Sequence, residues 1–320
     1  MKIILDSTKP IIEQSKHVRI NREAILEFAK TIASGDFEQS EYNNETIIEN
    51  GSNEEQVAYS IVYNSLNFCY WGQPKWAITI DRKNYDGSFA MLRALKKGLE
   101  KGYRLLNPQY LTSLPEEDLK TVFLGNVEIP LFKERLKLLK NLGQIVSQKF
   151  DGSFFNIIKK GQLDAVKIVE VLVKDFPKIF NDTANYHGQK VFFHKRAQLV
   201  PAHLVDLEKF GLISEKITSY DQLTAFADYK VPQILRKFNI LEYDKELTEK
   251  VDNMIKIPAG SDEEIEIRAN TIWAIELATQ KLMEKFPQAS AAKVDGIFWF
   301  RGQTKSPDDK PYHRTRTIWY

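Results

Sequence analysis

Apolar residues recur at helical spacing along most of the chain, so the sequence predicts a mostly helical fold. The clearest segment is 88–99, where Phe89, Leu92 and Leu95 fall on one face and Gly102 marks the end of the helix. The same spacing predicts further helices over residues 23–32, 54–70, 132–146, 163–176, 198–210, 221–227, 232–238 and 262–286. These segments together describe a helical bundle.

Short runs rich in β-branched and aromatic residues predict three strands, over residues 75–80, 191–193 and 296–300. They are too short to form a main layer, so they add only a small β element to the bundle. Residues 39–56 are rich in Asn, Glu and Ser and poor in apolar residues, which predicts a surface loop. The helices on both sides of this loop fit one bundle, so we expect a single domain over residues 1–320.

The charge balance argues against a protein that binds nucleic acid through a broad basic face. Lys and Arg number 45 against 43 Asp and Glu, which leaves a net charge of +2. The chain has no run approaching the roughly 20 apolar residues of a membrane span. We therefore expect a cytoplasmic protein with no membrane partner.

Motifs that would bind metals or cofactors are missing from the sequence. Cys69 is the one cysteine, which excludes an intramolecular disulfide and a zinc site built from thiolates. His194 and His203 lie nine positions apart and do not share a helix face. There is no GxGxxG, GxxxxGK[ST], HExxH or GxSxG motif. We expect neither a metal nor a cofactor.

Asp228 lies in the segment AFADYKVPQILRKF, residues 225–238. Pro232 fits the first position of a helix, so Asp228 is expected in a tight connection just before a helix N-terminus. Free backbone amides and the helix dipole there favour an ionised carboxylate, which can stabilise or attack a developing cation. An aspartate that only caps the helix or forms a turn is the commoner reason for this pattern.

Two further segments carry cations in unusual places. Lys195 and Arg196 open a predicted helix, where positive charge is unfavourable, so they are expected to face an anionic ligand or a carboxylate unless they are simply exposed. Glu264 and Arg268 are spaced for an ion pair along one helix.

The C-terminal segment PYHRTRTIWY, residues 311–320, combines arginines with aromatic residues. A frayed tail seldom ends in so many aromatic side chains, so we expect it to pack against the protein. The Arg314 guanidinium is then available to bind a phosphate or a carboxylate.

Six strings together resemble the queuosine salvage protein family, the queuosine 5′-phosphate N-glycosylase/hydrolases. They occur in the order found in that family and cover most of the chain from about residue 55 onward. The strings are NFCYWG (67–72), YDGSFAMLRAL (85–95), FFHKRAQLVPAHL (192–204), FADYKVPQILR (226–236), EIEIRANTIWAIE (264–276) and HRTRTIWY (313–320).

The resemblance implies a helical fold similar to the helix-hairpin-helix DNA glycosylases, used on a free nucleotide without direct contact to nucleic acid. It implies cleavage of the bond between the 7-deazaguanine base queuine and the ribose of queuosine 5′-phosphate, which releases queuine for reinsertion into transfer RNA. By the family motifs, Asp228 is catalytic and Lys195 is its active-site neighbour. The alternatives are a glycosylase acting on another nucleoside or on nucleic acid, and a non-catalytic module that binds a modified nucleotide.

The substrate implied by the resemblance needs an aromatic wall for its base, a carboxylate for its ammonium group and a cation for its phosphate. At the level of motifs, the residues expected to contact it are Phe68, Trp71, Asp86, Ser88, Arg196, Gln198, Tyr229, Glu266, Arg268 and Arg314.

Overall fold

The computed structural model describes residues 1–40, 43, 46–304, 306 and 309–320. Helices dominate it, as the apolar spacing predicts. The helices are α1 (Lys2–Gln14), α2 (Arg22–Lys30), α3 (Asn53–Leu66), α4 (Gly87–Glu100), α5 (Pro108–Thr112), α6 (Glu116–Val122), α7 (Phe132–Lys149), α8 (Phe155–Lys160), α9 (Ala165–Asp175), α10 (Pro177–Phe180), α11 (Lys195–Lys209), α12 (Lys230–Lys237), α13 (Lys245–Asp252), α14 (Asp262–Met283) and α15 (Ala291–Arg301).

The strands form small antiparallel pairs, so the prediction of a mostly helical fold with a minor β element is confirmed. Two of the pairs are hairpins, and the third joins segments far apart in the sequence. The pairs are β2 (Ala77–Ile80) with β3 (Lys83–Asp86), β4 (Thr183–Tyr186) with β5 (Gln189–Phe192), and β1 (Val18–Ile20) with β6 (Leu241–Tyr243).

Two predicted elements are wrong. The helix predicted over 221–227 is a single 3₁₀ turn, Tyr220–Gln222, followed by irregular backbone. The strand predicted over 296–300 belongs to α15. Val294 and Phe298 are buried on one side of that helix, while Trp299 and Phe300 line a cavity on another. Because α15 is apolar on more than one face, its sequence shows no clear helical period.

The loop predicted over 39–56 ends earlier than expected. Helix α3 begins at Asn53, where Ser52 and Glu55 form a capping box at its N-terminus. Among the remaining positions, 41, 42, 44 and 45 lie outside the described residues, and the described ones are irregular.

Among the residues that the structure describes, the buried apolar side chains form two clusters. The first is centred on α3, α4, α7, α9 and α11. The second is centred on α1, α2, α12, α14 and α15. In the described residues, no helix is both long enough and apolar enough to cross a membrane.

The C-terminal segment packs against the protein, as predicted. His313, Thr315 and Tyr320 are buried. The Cys69 amide donates a hydrogen bond to the carbonyl of Tyr320 over 2.8 Å. This contact ties the tail to the segment that follows α3.

Candidate active site

A cavity lies where the two buried clusters meet, and it draws its walls from both of them. About 190 Å³ of it can be reached by the centres of water molecules. A single bound water needs only roughly 10–15 Å³ on that measure, so the cavity has room for an organic molecule. Its aromatic lining consists of Phe37, Phe68, Tyr70, Trp71, Phe89, Tyr220, Phe226, Tyr229, Trp299, Phe300, Tyr312 and Tyr320.

Asp228 lines this cavity and is only 7% exposed. It precedes α12, and its Oδ1 accepts hydrogen bonds from the amides of Lys230 (2.7 Å) and Val231 (2.9 Å). Burial raises the pKa of Asp228 above its ordinary value, while the charge of Lys195 and these two amides act to lower it. The sequence predicts only the lowering of this pKa by the two amides. The burial that raises the pKa results from tertiary packing, which the local sequence does not show. Helix α12 begins at Lys230, so Pro232 takes its third position and not its first.

Lys195 opens α11 and lines the same cavity. It is buried, and its Nζ lies 3.5 Å from the carbonyl oxygen of Asn67, to which it donates. Its charge is the largest of the influences that lower the pKa of Asp228. The predicted carboxylate partner for this cation is therefore present in the cavity wall, and simple surface exposure is excluded.

The connection that carries Asp228 is held in place by side chains from other helices. Gln198 on α11 accepts hydrogen bonds from the amide (2.9 Å) and the hydroxyl (3.1 Å) of Thr224. Arg268 on α14 donates from Nε to the carbonyl of Ala227 over 3.2 Å. Since these partners replace the hydrogen bonds of a helix, the segment before Asp228 stays irregular.

Asp295 on α15 is a second buried carboxyl group in the cavity wall, with an exposed fraction of 3%. Its Oδ1 accepts a hydrogen bond from the Phe226 amide over 2.9 Å. Burial, and then the charge of Asp228, raise the pKa of Asp295 to about 8, while Lys195 acts to lower it. Asp295 is not among the predicted site residues, because the next five residues were assigned to a strand. The sequence carries no clear signal for it, since α15 is apolar on more than one face.

The sequence matches the model of a protein family described as Queuosine salvage protein over residues 47–320. The chain belongs to this family. A relative from Sphaerobacter thermophilus, named Queuosine 5′-phosphate N-glycosylase/hydrolase, is 37% identical over 99% of this chain and 97% of its own length. Proteins of the same name from Dictyostelium discoideum and Mus musculus are 30% and 28% identical, and each alignment covers 98% or more of both chains.

The cavity brings together part of the site predicted from the queuosine salvage strings. Besides Asp228 and Lys195, the predicted residues that line it are Phe68, Trp71, Asp86, Ser88 and Tyr229.

Among these, Tyr229 is half-buried, and its ring lies 4.9 Å from that of Tyr312 between centroids. Phe68 is fully buried, and the Arg135 guanidinium lies 4.2 Å from its ring centroid. Asp86 faces Lys75 across 3.7 Å.

The other predicted contact residues do not line the cavity, because each is bound within the protein. Arg196 donates to the backbone carbonyls of Asn64, Ser65 and Ile179. This guanidinium links α3 to α10, so it is not available to bind a phosphate.

Glu266 is buried on α14 and does not line the cavity. It accepts hydrogen bonds from the backbone amide of His17 (2.7 Å) and from the hydroxyl of Tyr186 (2.9 Å). Its carboxylate holds the start of β1 against α14, and so it does not serve a substrate ammonium group.

Arg268 and Gln198 hold the connection before Asp228, as described above. Arg268 is also bound to Asp182 and, over 3.4 Å, to Glu264. This confirms the predicted pairing of Glu264 with Arg268 along one helix. Both residues are buried, and so the pair does not lie at the surface.

Arg314 lies in the packed tail, outside the cavity lining. Its guanidinium carbon lies 5.9 Å from the ring centroid of Trp71. It supports that ring from outside and does not reach the cavity.

Lys230 and Tyr312 line the cavity but were not predicted to contact a ligand. Lys230 stands inside the string at 226–236, where a residue-by-residue reading would have found it, whereas Tyr312 lies one residue before the string at 313–320. Among the described residues, no group of three or more His, Cys, Asp or Glu side chains is placed to hold a metal ion.

Proposed function

We propose that this chain hydrolyses the N-glycosidic bond of queuosine 5′-phosphate and releases queuine for salvage into transfer RNA. The observation that carries the proposal is the buried pair of Asp228 and Lys195 in an aromatic cavity of a queuosine salvage protein. The names of the full-length relatives support this substrate.

Asp228 suits a reaction in which positive charge develops on a sugar. Breaking the bond between the ribose and the base builds an oxocarbenium-like cation, which a carboxylate next to the anomeric carbon stabilises. The Asp228 carboxylate either attacks that carbon or orients the water that does. Because its position is fixed by the two amides of α12, little reorganisation is needed as the charge develops.

The remaining lining residues supply partners for the rest of the substrate. Tyr229 and Tyr312 offer an aromatic wall for the flat base. Asp86 is a candidate partner for the ammonium group of queuine, and Lys230 and Lys293 are candidate partners for the phosphate. A likeness of this fold to the helix-hairpin-helix DNA glycosylases is part of the proposal, as are a cytoplasmic location and the absence of membrane or nucleic-acid partners.

The direct test is to incubate the purified protein with queuosine 5′-phosphate and to measure released queuine by chromatography. Queuosine, guanosine 5′-phosphate and duplex DNA containing a modified base serve as comparison substrates. Release from queuosine 5′-phosphate alone supports the proposal. Release only from a comparison substrate assigns the cavity to another glycosylase reaction, and tight binding of the nucleotide without release assigns it to a binding module.

We predict that Lys195→Met moves the acidic limb of the pH profile of kcat/KM to higher pH. Lys195 lowers the pKa of Asp228, so its removal lets burial raise that pKa further. Because the reaction needs the ionised carboxylate, activity is then lost at a higher pH as the solution is acidified.

The control for this prediction is Lys245→Met, which removes a lysine whose side chain is 92% exposed. This variant is expected to keep the wild-type profile. An unchanged acidic limb in Lys195→Met would contradict the coupling between Lys195 and Asp228.

We predict that Tyr229→Leu weakens binding of the nucleotide, whereas Tyr229→Phe keeps it. Stacking of a base on an aromatic ring contributes about 1–3 kcal/mol, so the dissociation constant is expected to rise roughly 5–150-fold in the leucine variant. The phenylalanine variant retains the ring and is the matched control. Calorimetry with queuosine 5′-phosphate measures both, and equal affinities would remove Tyr229 from the aromatic wall.

A further inference from the structure

We infer that Asp295 is a second catalytic carboxyl group, which donates a proton to the departing base while Asp228 faces the developing sugar cation. This inference rests on the proposed function, since it assigns a role within the same cavity. Nothing in the family strings points to Asp295, because it lies between the fifth and the sixth string.

The position of Asp295 places a proton donor in the cavity wall. Asp295 is buried in α15, yet it lines the same cavity as Asp228 and Lys195. Within the described part of the chain, its one hydrogen bond is the one that Oδ1 accepts from the Phe226 amide. The second oxygen, Oδ2, is thus not used to hold the backbone and is available to carry and donate a proton.

The two carboxyl groups differ in the charges and donors around them, which decides where a shared proton resides. Asp228 accepts two amide hydrogen bonds through Oδ1, whereas Asp295 accepts one. The charge with the largest effect on the pKa of Asp228 is that of Lys195, which lowers it. The charge with the largest effect on the pKa of Asp295 is that of the Asp228 carboxylate, which raises it. One proton shared by the pair therefore resides on Asp295 and leaves Asp228 ionised.

Three other elements packed against α15 also bring titratable groups towards the cavity. The 3₁₀ turn before residue 223 contributes Tyr220, whose pKa is raised by burial, so it is neutral. Helix α12 contributes Lys230. The turn after α2 contributes Asp36, which is paired with Arg301 over 3.3 Å. Burial, and then the charge of the Asp228 carboxylate, raise the pKa of Asp295 to about 8.

A proton donor meets a specific need of this substrate. A 7-deazapurine has carbon where a purine has N7, so its departure cannot be helped by protonation at that position. As the bond between C1′ and the base nitrogen breaks, the electron pair goes to the base. Asp295 donates its proton to a nitrogen or carbonyl oxygen of that base and becomes a carboxylate. Water adds to C1′, directly or after attack by Asp228, and the proton that it releases restores Asp295.

The test is Asp295→Asn, a substitution that preserves the structural contact. Asparagine keeps an oxygen to accept the hydrogen bond of the Phe226 amide, but it cannot transfer a proton. A general acid contributes typically 10²–10⁴-fold, so kcat with queuosine 5′-phosphate is expected to fall by about that factor. In the wild-type protein kcat/KM is expected to fall above about pH 8, and the variant is expected to lose this alkaline limb.

A second substrate separates proton donation from a structural role. The 4-nitrophenyl β-riboside 5′-phosphate releases a phenolate that leaves without a proton, so Asp295→Asn is expected to hydrolyse it at close to the wild-type rate. Equal losses on both substrates would reduce Asp295 to a positioning residue and overturn the inference. The inference would also be overturned if Asp295→Asn hydrolysed queuosine 5′-phosphate at the wild-type rate and kept the fall of kcat/KM at alkaline pH. Absence of wild-type activity on both substrates would instead refute the proposed function.

Discussion

Asp228→Asn is expected to lower kcat for release of queuine by about 10²–10³-fold, or roughly 2.7–4 kcal/mol, as removal of a preorganised electrostatic group does in other enzymes. The neutral amide cannot offset the sugar cation, although its oxygen still accepts the hydrogen bonds from Lys230 and Val231. Because these hydrogen bonds preserve the local structure, Asp228→Asn is expected to bind the nucleotide still. Single-turnover chromatography gives the rate, and calorimetry gives the affinity.

The matched control is Asp244→Asn, which changes an aspartate with the same local role. Asp244 caps α13 by accepting a hydrogen bond from the Leu247 amide over 2.7 Å, and it does not line the cavity. Because asparagine caps helices about as well as aspartate, this variant is expected to keep full activity. Full turnover in both variants would show that Asp228 only caps its helix.

The stability of Asp228→Asn gives an independent reading of the same site. Burial disfavours the charged form of Asp228, as the direction of its pKa shows. A neutral asparagine does not carry that cost, so the free energy of unfolding is expected to equal or exceed that of the wild-type protein. Lower activity with undiminished stability is the pattern of a functional group held in an unfavourable environment.

The largest expected loss of stability is that of Arg268→Met, at about 3–5 kcal/mol in the free energy of unfolding. Arg268 is buried between Asp182 and Glu264, and its guanidinium also lies 3.9 Å from the ring centroid of Phe193. Methionine fills much of the same space but leaves two buried carboxylates without a cation. Urea unfolding followed by circular dichroism measures the loss.

The pH dependence of this loss follows from Glu264. Burial raises the pKa of Glu264, and Arg268 acts to lower it. Without Arg268 that pKa rises further, so the folded variant binds more protons than the unfolded chain does. Its free energy of unfolding therefore falls as the pH rises, and the loss is smallest near roughly pH 4, where carboxylates also protonate in the unfolded chain.

Arg236→Met is the control for Arg268→Met. Arg236 is also buried and pairs with Asp252 over 3.0 Å, but the side chain of Asp252 is 38% exposed. Water can solvate that carboxylate once the arginine is removed, so the loss is expected to be clearly smaller. Equal losses in the two variants would mean that the loss in Arg268→Met comes from packing and not from leaving buried carboxylates without a cation.

The local pattern predicted the long helices, because a helix buried on one face has apolar residues that recur with the helical period. The segment 88–99 was predicted within one residue of α4, and 262–286 closely matches α14. The same reasoning failed for α15, where a cavity and two clusters surround one helix. It failed also for 221–227, where side chains from distant helices take the hydrogen bonds of the backbone.

The helical class, the family strings and the place of Asp228 before a helix follow from the amino-acid order alone. These depend on contacts between residues that are close along the chain, or on the order of whole strings. The folded chain shows in addition that Asp228 and Asp295 share one cavity, and that Arg196, Glu266 and Arg268 do not line it. Burial and charge at a site are set by side chains tens or hundreds of positions apart, and no local pattern records which of them meet.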